Sequence, residues 1–324
     1  NTNGMQEFKN SCIPFPIKNI NLYLMKSRLI ISTLIFFALH TGVMSQNNKK
    51  SVQEKSNDNE SYVLTDVSYI NDAVFMGRRD SIAAPYIYPS IGYYDKTGFF
   101  ADASVSYLTA SNENRVDLFL ISSGFIFNGS QISGGISGTA YFFNEDSYNV
   151  RSEVIGDITG VLSYDLKFLE ITLSASTYFN KESSVDIFTG LKLDRTFYTL
   201  GNKLLLDPGI SLYAGSQYFY QEYYSSSRLG NRKGKGKGAT DTEPTTSTVV
   251  EIKEASEFNL LNLELSLPAQ FYHKQFIFSI TPSLSFPQSS ATISTEDTII
   301  KEDLKNTFYW TIGVSYWFYT KKGN

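Results

Sequence analysis

Few side chains in this sequence could act as an acid, a base or a nucleophile. The 324 residues include two histidines and one cysteine, and Cys12 precedes an apparent export signal, so we expect the exported chain to contain no thiol. His273 lies beside Lys274 in a segment without an evident serine or acid partner, and a Ser-His-acid site needs such contacts. We therefore expect a surface histidine, no catalytic or metal-binding residue, no cofactor and no enzymatic activity.

A basic, glycine-rich segment invites comparison with a phosphate-binding loop. Its cations, which we call the basic patch, are Arg228, Arg232, Lys233, Lys235 and Lys237. The comparison fails because no Ser or Thr follows a Gly-Lys pair, as that loop requires. We expect instead a flexible outer loop over 220–255, with contact between the basic patch and lipopolysaccharide phosphates as an alternative. The net charge of −4 is too small to indicate a nucleic-acid partner.

An export signal precedes the rest of the chain. Lys26 and Arg28 are followed by an apolar run and then by Ser45-Gln46, which is the pattern of a secretory signal peptide. The run is shorter than the roughly 20 apolar residues of a membrane-spanning helix. We expect an upstream extension at 1–24, a signal peptide at 25–45 that is cleaved after Ser45, and a disordered polar segment at 46–60.

The remaining sequence alternates between apolar and polar residues and shows no helical period. From Leu261 to Leu267, leucines at every second position alternate with Asn262, Glu264 and Ser266. A period of two predicts strands with one apolar and one polar face. The pattern predicts strands at 62–70, 86–94, 97–109, 114–127, 131–143, 153–166, 168–179, 184–199, 203–219, 256–270, 274–286 and 306–319.

The connections between these strands alternate in length. Tight turns are predicted at 95–96, 128–130, 167, 201–202 and 271–273, and longer connections at 72–84, 110–113, 144–152, 180–183, 220–255 and 287–305. Short periplasmic turns, longer outer loops and an even strand number are typical of bacterial outer-membrane barrels. We therefore expect an all-β fold, a single antiparallel transmembrane up-and-down β-barrel of about 12 strands over 61–320. Ten or fourteen strands, or a soluble β-sandwich, are the alternatives.

Aromatic residues cluster at the predicted strand ends, as in the girdles that flank the lipid-facing band of such barrels. The last strand, Phe308-Tyr309-Trp310-Thr311-Ile312-Gly313-Val314-Ser315-Tyr316-Trp317-Phe318, resembles the aromatic closing strand of Gram-negative barrels. With the Ser45-Gln46 site and the strand pattern, the chain resembles the Bacteroidota-type outer-membrane β-barrel proteins. The resemblance implies a location in the outer membrane among its lipid and lipopolysaccharide, and recognition of the closing strand by the barrel-assembly machinery. The chain departs from the family in continuing past Phe318.

If the apolar faces contact lipid, the opposite faces carry mostly acidic side chains into the lumen. These lumen candidates are Asp102, Asp117, Asp157, Glu170, Asp186, Lys192, Asp207 and Glu264. An acid-lined lumen raises the local cation concentration and disfavours anions. We expect a passive, porin-like channel that mildly prefers cations. The alternatives are a sealed structural or binding barrel that presents its outer loops to a partner, lipid or surface polymer, and an outer-membrane hydrolase.

Overall fold

The computed structural model describes residues 61–79, 83–110, 113–147, 149–182, 184–225, 251–294 and 299–319. The predicted segments 1–24, 25–45 and 46–60 lie outside these residues, and so does the basic patch. Within the described ranges, no helix has the length and apolar character needed to cross a membrane.

Extended segments make up almost all of the regular structure. Fifteen strands belong to one sheet: β1 (Tyr62–Ile70), β2 (Tyr86–Tyr94), β3 (Phe99–Ala110), β4 (Glu113–Asn128), β5 (Ile132–Phe143), β6 (Val154–Asp165), β7 (Glu170–Asn180), β8 (Val185–Asp194), β9 (Phe197–Thr199), β10 (Leu204–Leu206), β11 (Gly209–Gly215), β13 (Asn259–Ser266), β14 (Ala269–His273), β15 (Phe276–Pro287) and β18 (Thr307–Tyr319). A second sheet contains β12 (Glu251–Ile252), β16 (Thr292–Ser294) and β17 (Ile299–Lys301). A short helix, α1 (Tyr218–Tyr223), follows β11.

The large sheet closes into a barrel. The first strand, β1, pairs with β2 on one side and with the last strand, β18, on the other. The pairing of β13 with β15 completes the ring. Three of the twelve barrel strands are interrupted, because β9 continues β8, β11 continues β10 and β14 continues β13. The predicted fold class and strand number are therefore confirmed.

The antiparallel pairing sends the connections to two ends of the barrel. The short-turn end has connections at 95–98, 129–131, 166–169, 200–203 and 274–275, and the strand ends Tyr62 and Tyr319. The long-loop end has connections at 71–85, 111–112, 144–153, 181–184, 216–258 and 288–306. The predicted alternation is confirmed, except that the connections at 111–112 and 181–184 are no longer than the turns at the short-turn end.

Two predicted boundaries are wrong. The turn predicted at 271–273 belongs to β14, which pairs with β10 on one side and with β15 as far as His273 on the other. The strand predicted to reach residue 219 ends at Gly215, and α1 then begins at Tyr218. Sequence alternation did not indicate this change, because Asp186 on a neighbouring strand holds the start of the helix.

Alternation along each strand separates an apolar outer face from a polar inner face. Exposed apolar side chains form a band around the outside, as shown by Ile91, Ile121, Ile136, Leu162, Leu173 and Ile280. The inner faces carry buried small polar residues, including Ser68, Ser104, Ser122, Ser137, Ser163 and Ser315. Since lipid favours apolar side chains and small side chains leave room inside, this arrangement suits a membrane barrel.

The aromatic clusters at the strand ends serve both faces. Neighbouring residues of a strand point to opposite sides, so Tyr93 is exposed whereas Tyr94 is buried in the lumen. The exposed rings near the short-turn end include Tyr93, Phe99, Phe127, Phe168, Phe276 and Phe318, and those near the long-loop end include Tyr107, Phe119, Phe142, Phe179 and Phe308. The predicted girdle thus corresponds to the exposed rings, whereas the buried rings fill the lumen.

Candidate functional site: the barrel lumen

Acidic side chains lie on the polar faces of the strands, opposite the exposed apolar band. All eight lumen candidates, Asp102, Asp117, Asp157, Glu170, Asp186, Lys192, Asp207 and Glu264, are buried. They are distributed along the barrel and do not form one cluster. Among the described residues, no group of three His, Cys, Asp or Glu side chains could hold a metal ion.

Two acids near the long-loop end are held by hydroxyl groups. Asp117 accepts hydrogen bonds from the hydroxyls of Tyr86 and Ser147, each at 2.5 Å, and forms an ion pair with Arg115 at 3.0 Å. Asp157 accepts hydrogen bonds from Tyr141 at 2.8 Å and from Thr159 at 2.6 Å. Such partners offset much of the cost of burying a carboxylate.

Near the short-turn end, Lys192 is shared between carboxylates. Its Nζ lies 3.1 Å from Asp207 and 3.3 Å from Asp194. Glu170 is the cross-strand neighbour of Asp194 and is also buried. One buried cation therefore serves a group of three acids, and removing it would leave their charges uncompensated.

Asp186 holds the start of α1 rather than lining an open lumen. Its carboxylate accepts hydrogen bonds from the backbone N–H groups of Tyr218 at 2.8 Å and Phe219 at 2.7 Å. Asn180 and the hydroxyl of Ser216 donate two more, at 2.9 Å and 2.6 Å. The first N–H groups of a helix have no partner within it, and this acid from β8 provides one.

Asp102 differs from the other lumen acids. Both of its carboxylate oxygens are buried and have no hydrogen-bond partner among the described residues. By comparison, Glu264 accepts a hydrogen bond from the hydroxyl of Tyr309 at 2.7 Å. Within the described part of the chain, Asp102 is therefore the candidate whose charge is least offset by its neighbours.

The short-turn end of the lumen is filled with apolar side chains. The short-turn layer is a buried cluster of Tyr62, Leu64, Tyr94, Phe100, Ile126, Leu205, Tyr272, Ile277 and Trp317. Phe100 and Asp102 share the inner face of β3, so this layer lies next to the least compensated acid. A narrow apolar constriction opposes the passage of hydrated ions.

The long-loop end is covered by a hairpin from the first long connection. Phe75 and Arg78 exchange two backbone hydrogen bonds of 2.8 Å, and the two residues between them have positive φ, 48° at Met76 and 81° at Gly77. Positive φ at both central positions defines a type I′ turn. We call residues 75–78 the mouth hairpin.

The mouth hairpin reaches the opposite wall of the barrel. In the ring of strands, β7 is separated from β1 by β2, β3, β4, β5 and β6 in one direction and by β18, β15, β13, β11 and β8 in the other. The ring of Phe75 nevertheless lies 5.8 Å from that of Tyr178 on β7 and 5.6 Å from that of Phe188 on β8. The connection after β1 therefore spans the lumen.

Two buried arginines that were not predicted fix this arrangement. Arg151 places its guanidinium 4.9 Å from the centre of the Phe75 ring. Arg78 forms an ion pair with Glu302 at 3.3 Å, donates a hydrogen bond to the carbonyl of Ser289 at 2.6 Å and lies over the ring of Tyr220. The apolar run before Gly77, unusual for an outer loop, was the sequence signal for this contact.

No protein-family model matches the sequence, and no curated protein is similar to it. Among solved structures, a KdgM porin has a TM-score of 0.42 at 10% identity, with 78% of this chain and 98% of that chain covered. A NanC porin gives the same four values. The translocator domain of the autotransporter NalP from Neisseria meningitidis has a TM-score of 0.40 at 10% identity, covering 92% of this chain and 96% of its own. These similarities are too low to support an argument about function.

His273 lies at the end of β14, beside a turn at the short-turn end of the barrel. It is exposed and pairs with Phe276 across the turn at 274–275. The predicted surface position is therefore confirmed. The structure does not bring this histidine to the buried carboxylates of the lumen.

Glu222 of α1 makes the packing of the helix sensitive to pH. Burial raises the pKa of Glu222 from 4.5 to about 6, although a hydrogen bond from Ser184 opposes the shift and the charges of Glu182 and Asp186 add to it. Because the packed state binds the proton of Glu222 more tightly than the unfolded chain does, we expect the contribution of Glu222 to stability to be full below pH 4.5 and to be lost as the pH rises through about 6.

We expect the amides of α1 to exchange hydrogen more readily at pH 7.5 than at pH 5, after correction for intrinsic rates. In Glu222→Gln this difference between the two pH values should shrink, because the amide side chain does not titrate. An unchanged pH dependence in the variant would assign the effect to another group.

Proposed function

We propose that the protein is a porin-like outer-membrane barrel whose acidic lumen favours cations over anions. Support for the membrane location comes from the closed ring of strands and from its exposed apolar band. The short-turn end then faces the periplasm and the long loops face outward. Export by a signal peptide cleaved after Ser45, and the relation to Bacteroidota-type barrels, are parts of this proposal.

The cation preference rests mainly on Asp102. In its ionised form, a carboxylate that faces the lumen without a hydrogen-bond partner among the described residues can act on a passing ion more strongly than one paired with a neighbour. Other candidates pair with a cation, as Asp117 does with Arg115 and Asp207 with Lys192. In the described conformation, the short-turn layer and the mouth hairpin lie on the path of an ion through the lumen.

The selectivity of the lumen can be measured in planar bilayers. With the full chain refolded into a bilayer under a salt gradient, we expect a reversal potential that shows preference for cations. Asp102→Asn should move this potential toward the value of a non-selective pore, because it removes the uncompensated charge and keeps the side-chain size. Asp303→Asn is the matched control, since Asp303 is 82% exposed on a long loop, and it should leave the potential unchanged.

A second function is favoured by the packing of both lumen ends. A sealed barrel would present its outer loops to a partner, a lipid or a surface polymer, and the basic patch could then engage lipopolysaccharide phosphates. The buried short-turn layer is the observation that supports this alternative. A correctly folded, inserted protein that passes no current would contradict the channel and favour the sealed barrel.

A further inference from the structure

The mouth hairpin is attached to the barrel wall by side chains alone. Its two backbone hydrogen bonds join Phe75 to Arg78 within the hairpin, and it belongs to neither sheet. Its contacts are the ring contacts of Phe75 with β7 and β8, the close approach of Gly77 to Asn262 and Pro287 on β13 and β15, and the side-chain bonds of Arg78. Detaching the hairpin would therefore break the side-chain bonds of Arg78 to Ser289 and Glu302, but no backbone hydrogen bond between barrel strands.

The place where the mouth hairpin packs against the barrel, which we call its seat, leaves part of the Arg78 side chain without hydrogen bonds to the described part of the chain. Nε and Nη1 of Arg78 are buried and have no hydrogen-bond partner among the described residues. A guanidinium group forms its full set of hydrogen bonds in water, so the seated position loses some of them. This loss offsets part of the stabilisation that Arg78 gains from Glu302, Ser289 and Tyr220.

We propose that the mouth hairpin is a removable plug that covers the lumen from the long-loop end. When Phe75 leaves its contacts with Tyr178 on β7 and Phe188 on β8, the inner faces of the strands become accessible from the outside. The strands themselves stay paired. The proposal rests on the barrel topology and not on ion conduction. It concerns access to the lumen, which can be measured separately from current.

Gly77 provides a specific way to unseat the plug. An added Cβ at Gly77 would lie 2.9 Å from Cβ of Pro287 and 3.1 Å from Oδ1 of Asn262. Gly201, in a short turn, has a positive φ of 62° but no atom within 4 Å of such a Cβ. Gly77→Ala therefore combines backbone strain with a collision at the seat, whereas Gly201→Ala produces the strain alone.

Access to the lumen is measured by labelling a cysteine introduced as Ser106→Cys. Ser106 is buried on the inner face of β3. The full chain carries Ser106→Cys and Cys12→Ser, is reconstituted in vesicles with its outer face exposed, and is treated with a charged, membrane-impermeant methanethiosulfonate. We expect Gly77→Ala to accelerate the labelling about tenfold or more, because labelling follows the population of the open state. Gly201→Ala should label at the rate of the parent.

One further variant and a folding assay guard against a general loss of folding. Phe75→Ala removes the ring that reaches β7 and β8 and should also accelerate labelling, while the shift of the folded barrel on unheated gels stays as in the parent. Equal labelling rates in Gly77→Ala, Phe75→Ala and Gly201→Ala, with all three folded, would overturn the plug. Accelerated labelling without current would support the plug and contradict the channel.

Discussion

Replacement of Lys192 by methionine is expected to destabilise the folded barrel by about 3–5 kcal/mol, the usual cost of removing one partner from a buried ion pair. Lys192 lies within 3.3 Å of both Asp194 and Asp207, and Glu170 is close to the same group. Without the ammonium group, buried carboxylates would repel one another in a medium that screens them poorly. Equilibrium unfolding by urea in detergent micelles would measure the loss.

The control for this variant is an exposed ion pair of the same kind. Lys305 and Asp303 are 3.3 Å apart, and their side chains are 78% and 82% exposed. Lys305→Met should change the free energy of unfolding by about 1 kcal/mol or less. If Lys192→Met and Lys305→Met lowered the free energy of unfolding equally, the acids around Lys192 would have to be neutral or screened by water in the folded barrel.

Asp186→Ala is expected to cost about 3 kcal/mol or more, because each buried donor left without a partner costs about 1–3 kcal/mol. The carboxylate accepts hydrogen bonds from Asn180, Ser216, Tyr218 and Phe219. We expect a lower midpoint of urea unfolding together with faster hydrogen exchange in α1. Phe219 packs against Phe75 at 5.0 Å, so the seat of the mouth hairpin should loosen as well.

A matched variant separates the anchoring function of Asp186 from its charge. Asp186→Asn keeps one acceptor oxygen, and we expect it to retain more of the protection of α1 than Asp186→Ala does. Asp303→Ala removes an exposed acid and should leave both measurements unchanged. Normal protection of α1 in Asp186→Ala would show that the helix is held by its aromatic side chains alone.

The strands were predictable because burial on one side of a barrel imposes a strict period of two. The prediction for Tyr62–Ile70, made from the parity of the connections, is confirmed by its pairing with both β2 and β18. The helix α1 was not predictable, since its start depends on Asp186 from a strand far away in the sequence. Local patterns cannot report such a contact between distant residues.

The lumen candidates were predictable as a face but not as a set of interactions. Alternation places Asp117 and Asp102 on the same side of their strands, and both are buried. It cannot show that Asp117 has three partners whereas Asp102 has none among the described residues. The mouth hairpin was missed for a similar reason, because the prediction treated 72–84 as an outer loop.

The pairing of β1 with β18 has a consequence for the order of assembly. Most other neighbours in the ring are close in sequence, whereas Tyr62 pairs with Tyr319 at the far end of the chain. Contacts between distant residues form late, because the closure of a long loop costs entropy before any contact offsets it. The hairpins are therefore expected to form first, and this seam, regular over its nine residues, to be the final and rate-limiting junction through which the nascent sheet becomes a cylinder.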